Sequence, residues 1–351
     1  MGDFPPITLK PSEASTSITM KFACVTSALL AGLAAAVPTP TEKGHVDERT
    51  VEKRAAITDA CTVGYCTMNG GTTGGAGGTT TTVSSLAQFT AAVQASGPAV
   101  VVVSGSLTGA VKVNVTSNKS IIGKAGSSLT GIGLTILGQS NVIIRNIKSS
   151  KVLAEYGDVV TVQKSTNIWV DSCDFSADLD HDKDYYDGLL DIVHASDFVT
   201  VSNTFFHDHW KGSLVGHSSN NAAEDTGHLR VTYYGNWWDN INSRTPMYRF
   251  GEGHVFNSYF SNMLETVVDT RDSAQMLIES SVWESCPKKA IFTNDSNVGP
   301  GYAVVNDLDL GGSQNLAPVG TLTSVPYSYT LLGSSKTKAS VTANAGQKLS
   351  F

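Results

Sequence analysis

The sequence predicts an all-β protein, a right-handed, single-stranded parallel β-helix with a short N-terminal capping helix and long loops. From Asn141 onward, a unit of alternating apolar residues, a small polar residue and an aromatic residue recurs. The aromatics are spaced by 31, 32, 22 and 23 residues, which is about one solenoid turn with two longer turns. This aromatic column is Phe175, Phe206, Trp238, Phe260 and Trp283. The apolar runs are rich in Val, Ile and Thr and no helical periodicity separates them, so they favour strands.

The start of the chain is expected to lie outside this fold. Residues 20–37 have the basic start, apolar middle and small-residue end of a secretory signal peptide. This run is too short and too rich in alanine for a membrane anchor. Residues 1–19 are polar and do not belong to such a signal, so we expect them to be a spurious or non-native extension before a start at Met20.

A polar segment separates the signal from the fold. Residues 38–54 end in Lys53-Arg54, and we interpret them as a propeptide that is cut after this dibasic pair. A loop that happens to contain the pair is the alternative. Residues 55–351 then form the β-helix domain of a secreted, extracellular protein, which we expect to be a monomer.

Two segments ahead of the repeats have separate interpretations. The Gly- and Thr-rich run 70–79 is not followed by Gly-Lys-Ser or Gly-Lys-Thr, so it is interpreted as a tight loop rather than a phosphate-binding loop. In the run 85–93, Leu86, Phe89 and Val93 have helical spacing after a Ser cap. We therefore expect a short helix that closes one end of the coil and protects the open sheet edge.

Polar residues recur at one place in the turn, where amides and hydroxyls could hydrogen-bond along the stack. Ordinary turn chemistry is the alternative, since Asn and Ser favour turns. The positions are Asn146, Ser172, Asn203, Asn257 and Ser280. After Gly299 the periodicity is weak, and loops with a final strand are expected.

Charge excludes one class of partner. The full chain has 24 Lys and Arg against 31 Asp and Glu, a net charge of -7, and residues 1–54 contain equal numbers of both signs. Nucleic acid is not an expected partner, because no basic excess neutralises phosphates. A polyanionic ligand would need local cations or a bridging metal.

The cysteines and three glycosylation motifs fit an oxidising compartment. Removal of the signal would leave Cys61, Cys66, Cys173 and Cys286, an even number that suits disulfides. Their pairing stays open, although the first two are close enough to pair locally. Asn-X-Ser/Thr motifs start at Asn114, Asn118 and Asn294.

Three aspartates form a candidate metal site. Calcium prefers six to eight oxygen ligands, and Asp158, Asp187 and Asp191 could supply several of them. If the run 187–191 is extended, its two aspartates point to the same face, and the preceding coil would bring Asp158 alongside. Turn-forming loop residues are the alternative, because each of the first two aspartates lies beside a glycine.

Three cations follow the aspartates. Lys211 comes after two histidines. A structural role is expected for them rather than a transition-metal site, because a third ligand is missing. Arg244 and Arg249 flank a proline before an apolar strand, where surface ion pairs are the alternative.

Taken together, these segments resemble the signature segments of pectate lyases, close to the secreted fungal members of polysaccharide lyase family 1. The segments, in chain order, are Gly157-Asp158, Asp187-Gly-Leu-Leu-Asp191, the run from Phe206 to His217 and the run from Arg244 to Val255. The run from Asn167 to Asp171 also matches, with Ser172 in place of the usual His. Tyr156 stands where some relatives have Asp, Asp187 where some have Glu, and Asp272 where Gln is expected.

The resemblance implies calcium-dependent β-elimination of α-1,4-linked polygalacturonate. It implies that Asp158, Asp187 and Asp191 are Ca²⁺ ligands, that Arg244 abstracts the C5 proton, and that Lys211 and Arg249 bind substrate. A guanidine acts as a base only where neighbouring positive charges disfavour its protonated form, and the two other cations supply such charges. An alkaline activity optimum is therefore expected.

Three other functions stay open on the sequence alone. A pectin lyase would share the coil but act on methyl esters, which need no calcium bridge, so the aspartate triad argues against it. A galacturonan hydrolase would need paired acids that flank the bond. A non-catalytic polysaccharide-binding coil would bind without cleavage.

Overall fold

The structure is a computed structural model that describes residues 55–294 and 298–351. The predicted extension, signal peptide and propeptide lie outside the described residues. In chain order the strands are β1 Thr79–Val83, β2 Ala99–Val103, β3 Ser106–Asn114, β4 Lys119–Gly123, β5 Ser128–Leu137, β6 Ser140–Arg145, β7 Lys148–Ser150, β8 Val160–Gln163, β9 Thr166–Asp171, β10 Asp174–Ser176, β11 Leu190–Val193, β12 Asp197–Ser202, β13 Phe205–Lys211, β14 Ser213–Val215, β15 Val231–Tyr234, β16 Trp237–Ser243, β17 Met247–Arg249, β18 Glu252–Phe256, β19 Tyr259–Ser261, β20 Val268–Arg271, β21 Gln275–Glu284, β22 Lys289–Phe292, β23 Tyr302–Asp309 and β24 Gln314–Asn315. The α-helices are α1 Leu86–Gln94, α2 Ala222–Asp225 and α3 Ser334–Asn344.

These strands form three parallel sheets that run along the coil. The first sheet contains β1, β2, β4, β6, β9, β12, β15, β18, β21 and β23. The second contains β3, β5, β7, β10, β13, β16, β19 and β21, and the third contains β5, β8, β11, β14, β17, β20, β22 and β24. Each strand pairs with its counterpart in the next coil, so the predicted parallel β-helix is confirmed.

The aromatic column lies inside the coil, as its spacing predicts. Its five residues are in direct register on successive strands of the second sheet and are buried. Phe206 and Trp238 stack with ring centroids 4.1 Å apart, and Phe260 and Trp283 stack at 4.6 Å. Such contacts add about 1 kcal/mol each beyond the burial of apolar area.

The polar column is explained by turn chemistry. All five of its residues have left-handed φ angles, between 44° and 56°, which Asn adopts more readily than most residues. Hydrogen bonding along the stack is limited. Asn146 donates from Nδ2 to the carbonyl of Gly123 in the previous coil (2.8 Å), whereas Asn257 donates to the carbonyl of Thr330 outside the coil.

Both N-terminal interpretations are confirmed. Helix α1 follows Ser85, whose Oγ accepts a hydrogen bond from the amide of Gln88 (3.3 Å). The glycine-rich run is a tight loop against β2, because a Cβ on Gly75 would lie 1.9 Å from the carbonyl oxygen of Ala99.

The C-terminal region differs from the prediction, because it contains α3 in addition to strands and loops. Only Thr337 and Val341 of this helix are buried, so its sequence lacks the apolar stripe that marks a helix. In the described part of the chain, no helix is long and apolar enough to cross a membrane.

The structure also decides one disulfide. Cys61 and Cys66 are bonded, whereas Cys173 and Cys286 are free thiols. Burial raises the pKa of the Cys286 thiol to about 11, so this half-buried thiol is largely protonated and a poor nucleophile at neutral pH.

Candidate active site

The candidate residues lie on successive coils along the third sheet. In the register of this sheet, Thr161 on β8 pairs with Asp191 on β11, Asp191 with Leu214 on β14, and Leu214 with Met247 on β17. Because adjacent strands are about 4.8 Å apart, residues far apart in sequence share one surface.

Asp158 and Asp191 converge over Gly188. A Cβ on this glycine would lie 2.8 Å from Oδ1 of each aspartate, so the two oxygens are within twice that distance of each other. The amide of Gly188 donates to Asp158 Oδ1 (2.8 Å), and the hydroxyl of Thr161 donates to Asp158 Oδ2 (2.7 Å). Asp191 Oδ1 accepts from the amide of Leu214 (3.1 Å). Backbone and side-chain donors therefore fix both carboxylates.

This carboxylate pair has a charge that its surroundings do not neutralise. Burial, with the charge of Asp187, raises the pKa of Asp158 to about 6. Burial and the charge of Asp158 raise the pKa of Asp191, and the positive charge of Arg244 counteracts this rise. Within the described ranges neither carboxylate of the pair forms a salt bridge, so the site favours a bound cation.

Asp187 does not follow the predicted arrangement. The run 187–191 is extended only from Leu190, so Asp187 lies in the loop before β11. Its side chain is 46% exposed and its Oδ1 lies 3.0 Å from Nζ of Lys211. The same ammonium lies 3.6 Å from Asp184.

Arg244 is in the turn between β16 and β17. It has a left-handed φ of 64°, and its carbonyl accepts a hydrogen bond from the amide of Ser213 (2.6 Å). Its guanidinium is half-buried and, among the described residues, makes no hydrogen bond or salt bridge. It is close enough to Asp191 to lower the pKa of that carboxyl.

Arg249, at the end of β17, is held by two groups. One of its terminal nitrogens donates to the carbonyl of Gly216 (2.9 Å), and its Nε lies 3.0 Å from Oδ2 of Asp272. Arg249 is in register with Arg271 on β20, which forms an ion pair with Asp269. Burial, and then the charge of Arg271, lowers the pKa of Arg249.

Sequence reasoning missed two residues that support these cations. His209 is buried, and its Nδ1 accepts a hydrogen bond from the amide of Lys211 (2.9 Å). Burial, followed by the charge of Lys211, lowers the pKa of His209 to about 4, so the ring is neutral and can accept this bond. Arg271 is the other residue. The sequence signal that could have identified Arg271 is its separation from Arg249, which equals one turn of the coil.

The donor set fits a hard divalent cation. Carboxylate oxygens are the ligands that Ca²⁺ prefers, and two carboxylates already converge without a cation. In the described part of the chain, however, no three His, Cys, Asp or Glu side chains are gathered as a ready metal site. Asp187 would complete the set only by exchanging Lys211 for the metal.

Comparison with known families gives one match that spans most of the chain. The sequence model of a family described as pectate lyase matches residues 22–350. The chain is 60% identical over 315 residues to pectate lyase B of Colletotrichum gloeosporioides, covering 90% of this chain and 94% of the relative. It is 51% identical over 324 residues to pectate lyase plyB of Emericella nidulans, covering 92% and 98%.

Solved structures give the same result. A pectate lyase from a Bacillus species, solved in complex with trigalacturonate, superposes with a TM-score of 0.74. The sequences are 29% identical, and the match covers 82% of this chain and 98% of the other.

Proposed function

The chain belongs to the pectate lyase family and is a polysaccharide lyase, and on this premise we propose that it cleaves α-1,4-linked polygalacturonate by calcium-dependent β-elimination with Arg244 as the base. One observation carries the assignment of roles. The carboxylates of buried Asp158 and half-buried Asp191 converge and, within the described residues, have no cation partner, and they lie beside an arginine that no described carboxylate binds.

Asp158, Asp187 and Asp191 would hold the calcium ion. The first and third are fixed by hydrogen bonds, and Asp187 is the adaptable ligand because its exposed side chain is held by Lys211 alone among the described cations. A bound Ca²⁺ would bind the substrate carboxylate and stabilise the negative charge that develops as the C5 proton leaves.

Arg244 accepts the C5 proton in this proposal. Its backbone is held by the bond from Ser213, so the guanidinium projects from a fixed turn. Arginine is normally protonated, and its use as a base at about pH 9 costs roughly 5 kcal/mol from an ordinary pKa of about 12.5. Because a larger fraction of any guanidine is neutral at higher pH, this role supports an alkaline optimum.

Lys211 and Arg249 bind the uronate carboxylates on either side of the base. Asp187 as a metal ligand would leave Lys211, and the ammonium of Lys211 would then be available to a substrate carboxylate. Arg271 lies one coil beyond Arg249, so it would meet the next part of the polymer.

The test follows the 4,5-unsaturated product by ultraviolet absorbance during incubation with polygalacturonate. Wild-type protein with Ca²⁺ should form this product, and excess EDTA should stop it. Arg244→Lys and Arg244→Ala should fold and bind polymer but lose about 10³-fold in kcat. Arg230→Lys, directly before β15 of the first sheet, is the matched control and should keep its rate. Full turnover in excess EDTA would rule out the metal, and a normal rate in folded Arg244→Ala would rule out this base.

We also propose that the protein is secreted as a monomer after loss of residues 20–37 and cleavage behind Lys53-Arg54. The sequence motifs support this maturation. N-terminal sequencing of the protein from culture medium should begin at Ala55, and a different first residue would contradict the cleavage site.

A further inference from the structure

Three of the four candidate cations already have a carboxylate partner, whereas Arg244 has none among the described residues. Lys211 pairs with Asp187, Arg249 with Asp272, and Arg271 with Asp269. A polyanionic substrate therefore meets cations whose charges are already partly compensated.

Asp272 differs from the other two partners in burial and in how it is held. Its side chain has no exposed surface, and its Oδ2 accepts a hydrogen bond from the hydroxyl of Ser219 (2.7 Å). The backbone carbonyl of Asp272 accepts from the amide of Phe250 (3.2 Å), directly after Arg249. The carboxylate is thus fixed in place and cannot turn to another ligand as Asp187 can.

The contact between Asp272 and Arg249 compensates charge rather than forming an aligned hydrogen bond. Nε of Arg249 lies 3.0 Å from the carboxylate, but its N–H has no hydrogen-bond partner among the described residues. With Nε buried and one terminal nitrogen bound to Gly216, the remaining N–H groups of the guanidinium are left for a ligand.

The Asp272 charge also helps three arginines to share this surface. Arg244 and Arg271 both disfavour the charged form of Arg249, whereas Asp272 and, after it, Asp269 favour it. A half-buried guanidinium beside two others would otherwise carry a larger desolvation and repulsion cost.

We propose that Asp272 is a specificity-determining residue, a fixed counter-ion that weakens the hold of Arg249 on substrate carboxylates and thereby sets the affinity for de-esterified galacturonan. This inference rests on the proposed lyase function. It follows that the enzyme discriminates less strongly between free uronates and neutral methyl esters than it would if Arg249 had no carboxylate partner. It also follows that product, which is still an anion, leaves more readily.

The test replaces the carboxylate with its neutral isostere. Asp272→Asn keeps an oxygen that accepts from Ser219, and Asn tolerates the left-handed φ of 50° at this position. We expect KM for polygalacturonate to fall about fivefold, with a steeper dependence of KM on salt. KM for highly methyl-esterified pectin should change much less, and Asp272→Glu should restore wild-type salt dependence.

The matched control is Asp197→Asn, which removes the buried partner of Arg230 on the first sheet. It should cost stability but leave KM and its salt dependence unchanged. If Asp272→Asn does not fold, Ser219→Ala provides the second variant. Loss of the Ser219 hydrogen bond leaves more of the carboxylate charge to Arg249, so KM should rise about twofold.

The outcomes separate this inference from the proposed function. If wild-type protein forms no unsaturated product, the proposed function fails. If it forms product and KM rises or stays constant in folded Asp272→Asn, or Ser219→Ala leaves KM unchanged or lowers it, Asp272 does not attenuate Arg249 and this inference alone is overturned.

Discussion

At the scale of single residues, the candidate metal site depends on a side chain that is absent. Gly188 donates its amide to Asp158 and leaves the space into which Asp158 and Asp191 both point. A methyl group there would lie 2.8 Å from an oxygen of each carboxylate, closer than real Cβ atoms approach other atoms. The carboxylates would have to separate.

Gly188→Ala should therefore weaken calcium binding about tenfold, because displaced carboxylates cannot both reach one ion. Calorimetric titration with Ca²⁺ measures this without substrate. The φ of Gly188 lies outside the left-handed range, so alanine adds no backbone strain and the melting temperature without calcium should fall little. Asp158→Asn is the comparison, with a similar loss expected. Unchanged affinity in folded Gly188→Ala would place the metal elsewhere.

At the scale of elements, the aromatic column supports the turn that carries Arg244. A Cβ on Gly212 would lie 2.5 Å from the carbonyl oxygen of Arg244 and 3.2 Å from the ring of Trp238. This glycine thus lies between the indole and the turn that carries Arg244. The packing of one internal ring is transmitted to the position of the proposed base.

Truncation of the Trp238 ring should lower both stability and kcat, whereas truncation of another ring in the column should lower stability alone. Trp238→Ala and Trp283→Ala each remove a buried indole and should cost about 3–5 kcal/mol in the free energy of unfolding. Only Trp238→Ala should also lower kcat at a temperature where both variants are folded, because Trp283 lies two coils further along. Denaturant unfolding and steady-state kinetics measure the two effects. Equal kcat losses in both variants would contradict a specific link to the turn.

The repeats could be predicted because burial imposes a period on the sequence, and a ring such as Trp238 has to stack on its counterpart in the next coil. The direction of Asp187 could not be predicted in the same way. A rule that places residues four apart on one face applies only within a strand, and the strand starts after Gly188. Helix α3 was missed because it has no apolar stripe, and Asp272 was noted only as a departure from the family pattern.

At the scale of the whole molecule, the site residues follow one another along the third sheet. The converging carboxylates lie on earlier coils, and Arg244, Arg249 and Arg271 lie on later ones, where aspartates pair with two of these arginines. Residues that no local pattern connects thus share one surface only through the register of the third sheet. The sequence could predict several of these residues through the family resemblance, but their ion pairs needed the fold.

A second buried network joins both ends of the described chain to the first sheet. His254 on β18 has Nδ1 2.7 Å from the hydroxyl of Tyr327 and Nε2 3.1 Å from a carboxylate oxygen of Glu279. Tyr327 packs edge-on against Tyr65. Because the Tyr327 hydroxyl can donate to Nδ1 and the carboxylate can only accept, a neutral ring with its proton on Nε2 satisfies both contacts.

Acid should weaken this network through His254. Burial lowers the pKa of His254 to about 4, against about 6.5 in an unfolded chain. Between these values the unfolded state binds more protons, so the contribution of this residue to stability falls as pH falls from about 6.5 to about 4. Other groups titrate in the same window, including Asp158, whose raised pKa has the opposite effect. The contributions of those groups cancel when the stability of wild-type protein is compared with that of a variant that differs only at His254.

The stability advantage of wild-type protein over His254→Gln should therefore shrink by about 3 kcal/mol between pH 7 and pH 4, since glutamine does not titrate. Denaturant unfolding of both proteins at several pH values, without calcium, measures the difference. A constant difference would mean that the ring takes up its proton over the same pH range in the folded and unfolded states, and would contradict the effect of burial on His254.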